Sequence, residues 1–214
     1  AASRDDWSAA AFPWLSARQT FVGWAPAVVL GVSFSGELAY EIHVPNGQLT
    51  AAYRALRRAG EAHGLRLFGA RAVESMRLEK SYLHWKADLL TEFDPFETGL
   101  ERFVRMEKAD FVGKAALQRR AAEGPRRRLA TLSVACEDRW AQPGSSVMIG
   151  DEVVGTVTSG AWGHRTGLNL ALAYVRPDLA EPGAAMELDL IGDRVAATAI
   201  PPSPYDPEGL RVRA

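Results

Sequence analysis

The chain has 214 residues, of which 47% are hydrophobic and 24% are charged. This ordinary globular composition excludes a disordered chain, a collagen-like chain and a small disulfide-stapled fold. The 25 basic and 26 acidic residues give a formal net charge of -1, without the basic excess of nucleic-acid-binding proteins. No apolar run reaches the roughly 18–20 residues that cross a bilayer. We therefore expect neither a nucleic-acid partner nor a membrane partner.

The first half of the chain is predicted to mix strands and helices. Residues 1–25 are interpreted as a short helix or loop whose aromatic side chains pack on a neighbouring face. Periodicity then predicts strands at 27–32 and 40–44, a helix at 49–62 with Leu49 and Tyr53 on its apolar side, and a helix at about 70–82. Irregular structure at 83–99, a short strand at 103–106 and a helix at 114–122 complete this half.

A change of pattern follows the polar segment Glu123 to Arg128, which contains Gly124 and Pro125 and is typical of a connection between domains. Beyond it, six short strand-like runs are separated by turn residues, a spacing that predicts a small antiparallel barrel or sandwich. These runs are 129–134, 146–149, 153–158, 170–175, 186–190 and 195–200. The predicted class is α+β, with an α+β domain at 1–124 and a β-domain at 125–214.

Several kinds of chemistry are not supported by the sequence. The four histidines are widely separated and lack metal-ligand spacing, so no metal site is expected. A nucleophile elbow, a phosphate-binding loop and a G-x-G-x-x-G motif are also missing from the sequence. The lone Cys136 is interpreted as a packed thiol and indicates a reducing compartment, namely the cytoplasm or, in a eukaryote, the mitochondrial matrix.

Three segments carry candidate binding residues. In the predicted hairpin, Glu41 either faces solvent or accepts paired N–H bonds from a flat ligand. Arg71 lies in the first turn of a predicted helix, where the helix dipole disfavours a cation, so either a surface ion pair or a bound anion would explain it. The Gly-rich run at 154–160 is either a barrel corner or a loop that touches a ligand.

These segments, taken in order, resemble one family. The motifs are S-G-E-L-A-Y-E (35–41), F-G-A-R (68–71), R-L-E-K-S-Y (77–82), H-W-K-A-D-L (84–89), P-F-E-T-G-L (95–100), D-F-V-G-K-A-A-L (110–117), V-G-T-V-T-S-G (154–160) and G-L-N-L-A-L-A-Y-V (167–175). Together they resemble the glycine-cleavage T-protein family of aminomethyltransferases, and most of all the folate-binding C-terminal part of dimethylglycine and sarcosine dehydrogenases. The resemblance covers nearly the whole chain.

The resemblance implies a fold and a set of ligand contacts. The fold is the C-terminal portion of a folate-binding α+β body at 1–124, followed by a β-barrel at 125–214. Glu41 matches the glutamate that grips the pterin ring, and Arg71 matches an arginine that holds the folate. Phe34 stands where the family has a tyrosine, and Phe103 is expected to replace a family aromatic whose position falls near Arg102.

The family's catalytic aspartate matches no residue here, because it lies upstream of the first residue. We therefore expect a fragment or one subunit of a split enzyme, completed by an N-terminal segment or a partner subunit. The implied activity is transfer of a one-carbon unit from a methylamine-type substrate to tetrahydrofolate, with FAD only in a domain outside this chain. The alternative is a non-catalytic folate-binding or assembly module, or an inactive fragment.

Overall fold

The computed structural model describes residues 2–214, which form two compact units. One, here called the sheet unit, runs up to Val73 and includes the C-terminal segment Glu208–Ala214. The other, the barrel unit, comprises Glu74–Pro207. The mixture of helices with a closed antiparallel barrel confirms the predicted fold class. The domain boundary at residues 124 and 125 remains a sequence-based prediction.

The sheet unit is built on a three-stranded antiparallel sheet in the order β1-β2-β3. Its strands are β1 (Ala17–Val22), β2 (Ala25–Leu30) and β3 (Glu41–His43). Pairing of β2 with β3 confirms the predicted hairpin. The prediction of a helix or loop over residues 1–25 is wrong for β1, because its buried face mixes Thr20 with Val22 and so lacks a clear apolar alternation.

Helix α1 (Leu49–Gly60) contacts β1 and β2, and its buried residue is the small Ala52. The predicted apolar side is wrong for Leu49 and Tyr53, which are both exposed, whereas Leu56 of the same predicted side packs against the core. A 3-10 turn at Glu61–His63 continues the helix to Gly64, whose φ of 68° is the left-handed conformation expected at a C-terminal glycine stop. Among the N-terminal aromatics, Phe12 joins the core as expected, whereas Trp24 is exposed.

Three further helices follow α1. They are α2 (Ala70–Glu79), α3 (Pro95–Thr98) and α4 (Lys114–Glu123). The boundary between the two units falls inside α2, after Val73. The single turn of α3 interrupts the segment predicted to be irregular, and a capping box from Asp94 starts it. The strand predicted at 103–106 is wrong, because Glu101–Phe103 forms a 3-10 turn.

The barrel unit contains a closed antiparallel barrel in the order β4-β7-β6-β5-β8-β9. All six predicted runs are strands: β4 (Arg128–Val134), β5 (Ser146–Ile149), β6 (Glu152–Gly163), β7 (Leu168–Val175), β8 (Ala185–Leu190) and β9 (Asp193–Ile200). The core inside them includes Leu132, Val157 and Leu188. The longest helix in residues 2–214 has 12 residues, so none of these helices is long enough to cross a membrane.

Candidate functional site

The three-stranded sheet has one face buried and one face open. Strand residues alternate between the two faces, and the buried set includes Val22, Ala27 and Val29. The open face contains, in register, Phe21 beside Pro26, Val28 beside His43, and Leu30 beside Glu41. Phe21 is 59% exposed and Val28 is 41% exposed. This open sheet face therefore combines apolar side chains with Gln19 on β1 and two polar side chains along β3.

Glu41 is the carboxylate of the open sheet face. Its side chain is 55% exposed, and its Oε2 lies 3.4 Å from Nε2 of His43. The solvent-facing orientation considered from the sequence is thus the one observed. It is compatible with the ligand-binding alternative, because an accessible carboxylate beside an apolar surface can accept paired N–H bonds from a flat ring that lies on that surface. The role of Glu41 in binding stays a prediction.

The other predicted contacts are distributed over both units. Phe34 belongs to the sheet unit and is 38% exposed, in a turn where Oγ of Ser33 accepts a 2.9 Å hydrogen bond from N of Gly36. Arg71 is also in the sheet unit, exposed in the first turn of α2. Phe103 belongs to the barrel unit, is 70% exposed, and is covered on its ring by the guanidinium of Arg102. Their ligand contacts likewise remain predictions.

The sequence analysis missed half of the open sheet face because it missed β1. Phe21 lies on that strand, and its exposure gives the face much of its apolar area. The signal present in the sequence is the run of β-branched and aromatic residues Thr20, Phe21 and Val22 just before the Gly23 turn.

Several family-like motifs meet in the barrel unit in a buried polar network. Arg77 and Asp88 are both buried, and Nη1 of Arg77 donates to Oδ2 of Asp88 at 2.9 Å. Nη2 of Arg77 donates to Oγ of Ser159 at 2.7 Å, and its Nε donates to Oε2 of Glu74 at 2.8 Å. Thr158 and Ser159 donate their hydroxyls to Oδ1 of Asp88 at 2.5 and 2.7 Å. The motifs at 77–82, 84–89 and 154–160 therefore form one cluster.

Two further buried carboxylates bind backbone groups of the barrel unit. Oε1 of Glu79 accepts N–H bonds from Arg165 at 2.6 Å and Thr166 at 2.8 Å. Oε1 of Glu97 accepts bonds from the N–H groups of Arg126 and Arg127 at 3.1 and 3.3 Å. Arg77 and Glu79 lie two residues apart on α2, a spacing at which helical side chains do not face each other. In agreement with this, each of them binds its own partners.

The Gly-rich run at 154–160 acts as a structural element in the barrel. A register shift between Val157 and Ser159 marks a bulge in β6 against β7. A side chain on Gly160 would overlap the carbonyl oxygen of Ala141. In the same unit, Oη of Tyr174 donates to the backbone O of Asp88 at 2.8 Å, and burial, followed by the charges of Asp88 and Glu97, raises the pKa of Tyr174. The bulge and the close approach at Gly160 fit a barrel corner, while Gly155 to Thr158 also line a cavity of about 580 Å³, so the ligand-contact alternative stays a prediction.

Among residues 2–214, no group of three or more histidine, cysteine or acidic side chains is arranged to hold a metal ion. Cys136 is partly buried, and its thiol donates to Oδ1 of Asp138 at 2.9 Å.

Comparison with known proteins identifies the family. The family model of the GCVT N-terminal domain matches residues 1–108, and that of the glycine cleavage T-protein C-terminal barrel domain matches residues 127–206. The chain belongs to the glycine-cleavage T-protein family. This is a family of folate-dependent aminomethyltransferases, so the resemblance inferred from the motifs is confirmed.

Individual relatives agree with this assignment. Dimethylglycine dehydrogenase of Mus musculus is 34% identical over 197 residues, which cover 92% of this chain and 23% of that protein. An aminomethyltransferase of Corynebacterium aurimucosum is 34% identical, with 85% of this chain and 49% of that protein covered. The aminomethyltransferase T of Bartonella henselae shares the fold, with a TM-score of 0.76 at 23% identity over 84% of this chain and 50% of that one. The chain therefore spans a quarter to a half of these relatives.

Proposed function

We propose that this chain binds tetrahydrofolate and takes part in one-carbon transfer from a methylamine-type substrate, as the folate-binding part of an enzyme like dimethylglycine or sarcosine dehydrogenase or an aminomethyltransferase. The observation that supports this proposal is the accessible carboxylate of Glu41 at the border of the apolar open sheet face. Family membership supplies the ligand class. Glu41 would bind the pterin ring, with Phe34 and Arg71 of the same unit as further folate contacts.

The chemistry of the open sheet face fits a pterin ring. Its flat aromatic body would lie on apolar side chains such as Phe21 and Val28, which exclude water beneath it. Its ring edge presents adjacent N–H groups, which match the two oxygens of one carboxylate. Bound tetrahydrofolate supplies the nitrogen nucleophile of the transfer. The residues of this chain contribute by positioning, which is the main catalytic effect that this site offers.

The open sheet face also supports the proposal of further polypeptide around it. Contiguous exposed apolar area of this kind marks an interaction surface, and the unpaired edge of β3 offers backbone groups to another strand. We propose that a segment of a longer protein, or a partner subunit, covers part of this surface and supplies the catalytic aspartate. In a dehydrogenase-like arrangement, an FAD domain would belong to that same additional part.

The proposed compartment is the cytoplasm, or the mitochondrial matrix in a eukaryote.

Calorimetric titration of tetrahydrofolate into the chain, repeated with Glu41→Gln, tests the proposal. We expect saturable binding, with the dissociation constant of the variant raised at least about tenfold. The reason is that glutamine loses the charge and one of the two acceptor oxygens, and hydrogen bonds to charged groups are worth about 1.5–3 kcal/mol each.

The matched control is Glu61→Gln, which removes an exposed carboxylate from the same unit at the end of α1. It should bind tetrahydrofolate as tightly as the unmodified chain. Equal weakening in both variants would mean that net charge, and not the position of Glu41, determines binding. Unchanged affinity in Glu41→Gln would refute the proposed pterin contact.

A further inference from the structure

The barrel unit contains a second candidate site, a cavity of about 580 Å³ between the segment after α2 and strand β6. One wall comes from residues between Lys86 and Phe93, and the other comes from the Pro143–Gly144 turn and from β6. All the lining residues lie within Glu74–Pro207. The volume falls within the range of about 300–1,000 Å³ that is typical of small-molecule sites.

Hydrogen bonds within the barrel unit hold both walls of this cavity in place. Oη of Tyr174 donates to the backbone O of Asp88 at 2.8 Å, which fixes the segment after α2. The carboxylate of Asp88 in turn accepts the hydroxyl of Thr158 on β6. On the opposite wall, N of Gly144 donates to O of Val157 at 2.8 Å. The cavity is therefore formed before a ligand enters, which lowers the entropic cost of binding.

Arg127 supplies the observation that indicates an anion. It lines the cavity, is partly buried, and donates from Nη1 to the backbone O of Val154 at 2.9 Å. Within residues 2–214, no carboxylate pairs with this guanidinium, and no acceptor binds its Nε or Nη2. The three other arginines of the barrel unit that are not fully exposed each bind a carboxylate: Arg77, Arg120 and Arg176. A partly buried guanidinium with unused N–H groups favours a negatively charged acceptor.

The charges of the lining favour the same class of ligand. Lys86 is exposed at the cavity and forms no ion pair within residues 2–214. Glu92 is the one carboxylate among the lining residues that the structure describes, so two cations face one anion. Two further carboxylates lie behind the walls and are themselves paired, Asp88 with Arg77 and Glu97 with Arg120. The lining therefore carries an excess of positive charge.

The rest of the lining is apolar and includes an aromatic ring. Phe93 stacks on Tyr174, with ring centroids 3.5 Å apart and planes at 12°. Further aliphatic area comes from Leu90, Pro143 and Val153. A flat apolar body would pack on these side chains and leave water, while a charged group on it would remain beside the two cations. An aromatic carboxylate combines both features.

We propose that this cavity binds a small aromatic carboxylate. The carboxylate accepts N–H bonds from Arg127 and is attracted by Lys86, while the ring packs against Phe93. The Gly-rich run then has a ligand contact in addition to its structural role, since Gly155 and Thr156 line the same cavity. The proposal does not rest on the folate site, whose proposed contacts belong to the sheet unit.

The test is a titration of the isotope-labelled full chain with sodium benzoate, followed by NMR at the backbone amides of Gly144, Gly155 and Thr156. We expect saturable shifts of these three signals, with the amide of Gly192, between β8 and β9, unchanged. Benzamide has the ring without the charge and should bind at least about fivefold more weakly. Sodium acetate has the charge without the ring and should not reach saturation where benzoate does.

Four variants complete the test. Lys86→Gln should raise the dissociation constant of benzoate about two- to fivefold, because it removes one cation from a partly exposed site. Arg127→Lys keeps the charge but loses the paired N–H groups, and should raise it about fivefold. Glu92→Gln removes the carboxylate that repels the ligand and should lower it about twofold. The matched control Lys108→Gln removes an exposed lysine of the same unit that does not line the cavity, and should leave it unchanged.

Four results would each overturn the proposal: equal binding of benzoate and benzamide, saturation by acetate in the same range, benzoate shifts that spare the three cavity amides, and equal effects of Lys86→Gln and Lys108→Gln. Because Lys86 and Lys108 are both exposed, these two variants should keep the fold of the unmodified chain. Tetrahydrofolate binding at Glu41 is tested separately and would be unaffected by any of these results.

Discussion

Replacing Arg77 with leucine is expected to lower the free energy of unfolding of the barrel unit by about 3–5 kcal/mol, because a buried charge then loses its partner. The guanidinium donates to Asp88, Ser159 and the backbone O of Tyr82, and it also pairs with the partly exposed Glu74. After the substitution, the carboxylate of Asp88 keeps its hydroxyl donors but has lost the opposite charge. The penalty is large because Asp88 is fully buried and leucine supplies neither a charge nor a donor.

Urea denaturation followed by circular dichroism measures this loss. The control is Arg176→Leu, whose guanidinium binds Asp178 at 2.7 Å on the exposed surface and should change stability by less than about 1 kcal/mol. A double variant with both Arg77 and Asp88 replaced by leucine should recover part of the stability, because it removes the unpaired charge. If Arg77→Leu costs no more than the surface control, the buried network does not stabilise this unit.

Gly160→Ala is expected to destabilise the barrel unit by about 3 kcal/mol, at the upper end of the range for overpacking. The added methyl group would overlap the carbonyl oxygen of Ala141 and lie 3.0 Å from its carbonyl carbon. Both obstacles are backbone atoms, and β6 is paired with β7 at Gly160, where it lies beside Ala171. Relief therefore requires movement of the segment that contains Ala141, whose side chain is part of the barrel core.

Comparison of the thermal and urea unfolding of the two single variants Gly160→Ala and Gly47→Ala isolates the effect of crowding around the added methyl group. Gly47 has no neighbouring atom within 4 Å of an added methyl group, and its φ is not positive. This control should therefore stay within about 0.5 kcal/mol of the unmodified chain. Similar stabilities for the two variants would contradict the close approach of β6 and Ala141.

The barrel could be predicted from the sequence in detail, whereas the sheet unit could not. Each barrel strand has turn residues on both sides and apolar residues that point into one closed core. The hydrophobic pattern along each strand therefore agrees with the burial of its side chains in the folded barrel. Strand β1 has no such agreement, because Arg18 and Thr20 share its inner face with Val22. Helix α1 likewise buries Ala52 and leaves the larger Leu49 and Tyr53 exposed, which reverses what side-chain size predicts.

Prediction of the candidate site was limited by long-range contacts. Local alternation along β3 predicts the solvent-facing position that Glu41 has, whereas its role as a pterin contact comes from the family resemblance and stays a prediction. The network of Arg77 with Ser159 joins residues 82 positions apart, and no local pattern connects them.

Hydrogen–deuterium exchange of the full chain, with and without saturating tetrahydrofolate, tests the central claim most directly. If the pterin ring lies on the open sheet face, exchange should slow in peptides that cover β2 and β3, where Val28 and Glu41 lie. Peptides from β8 and β9 should exchange at unchanged rates. Slowed exchange confined to the barrel strands, or unchanged exchange throughout the sheet at saturation, would contradict a folate site on this face.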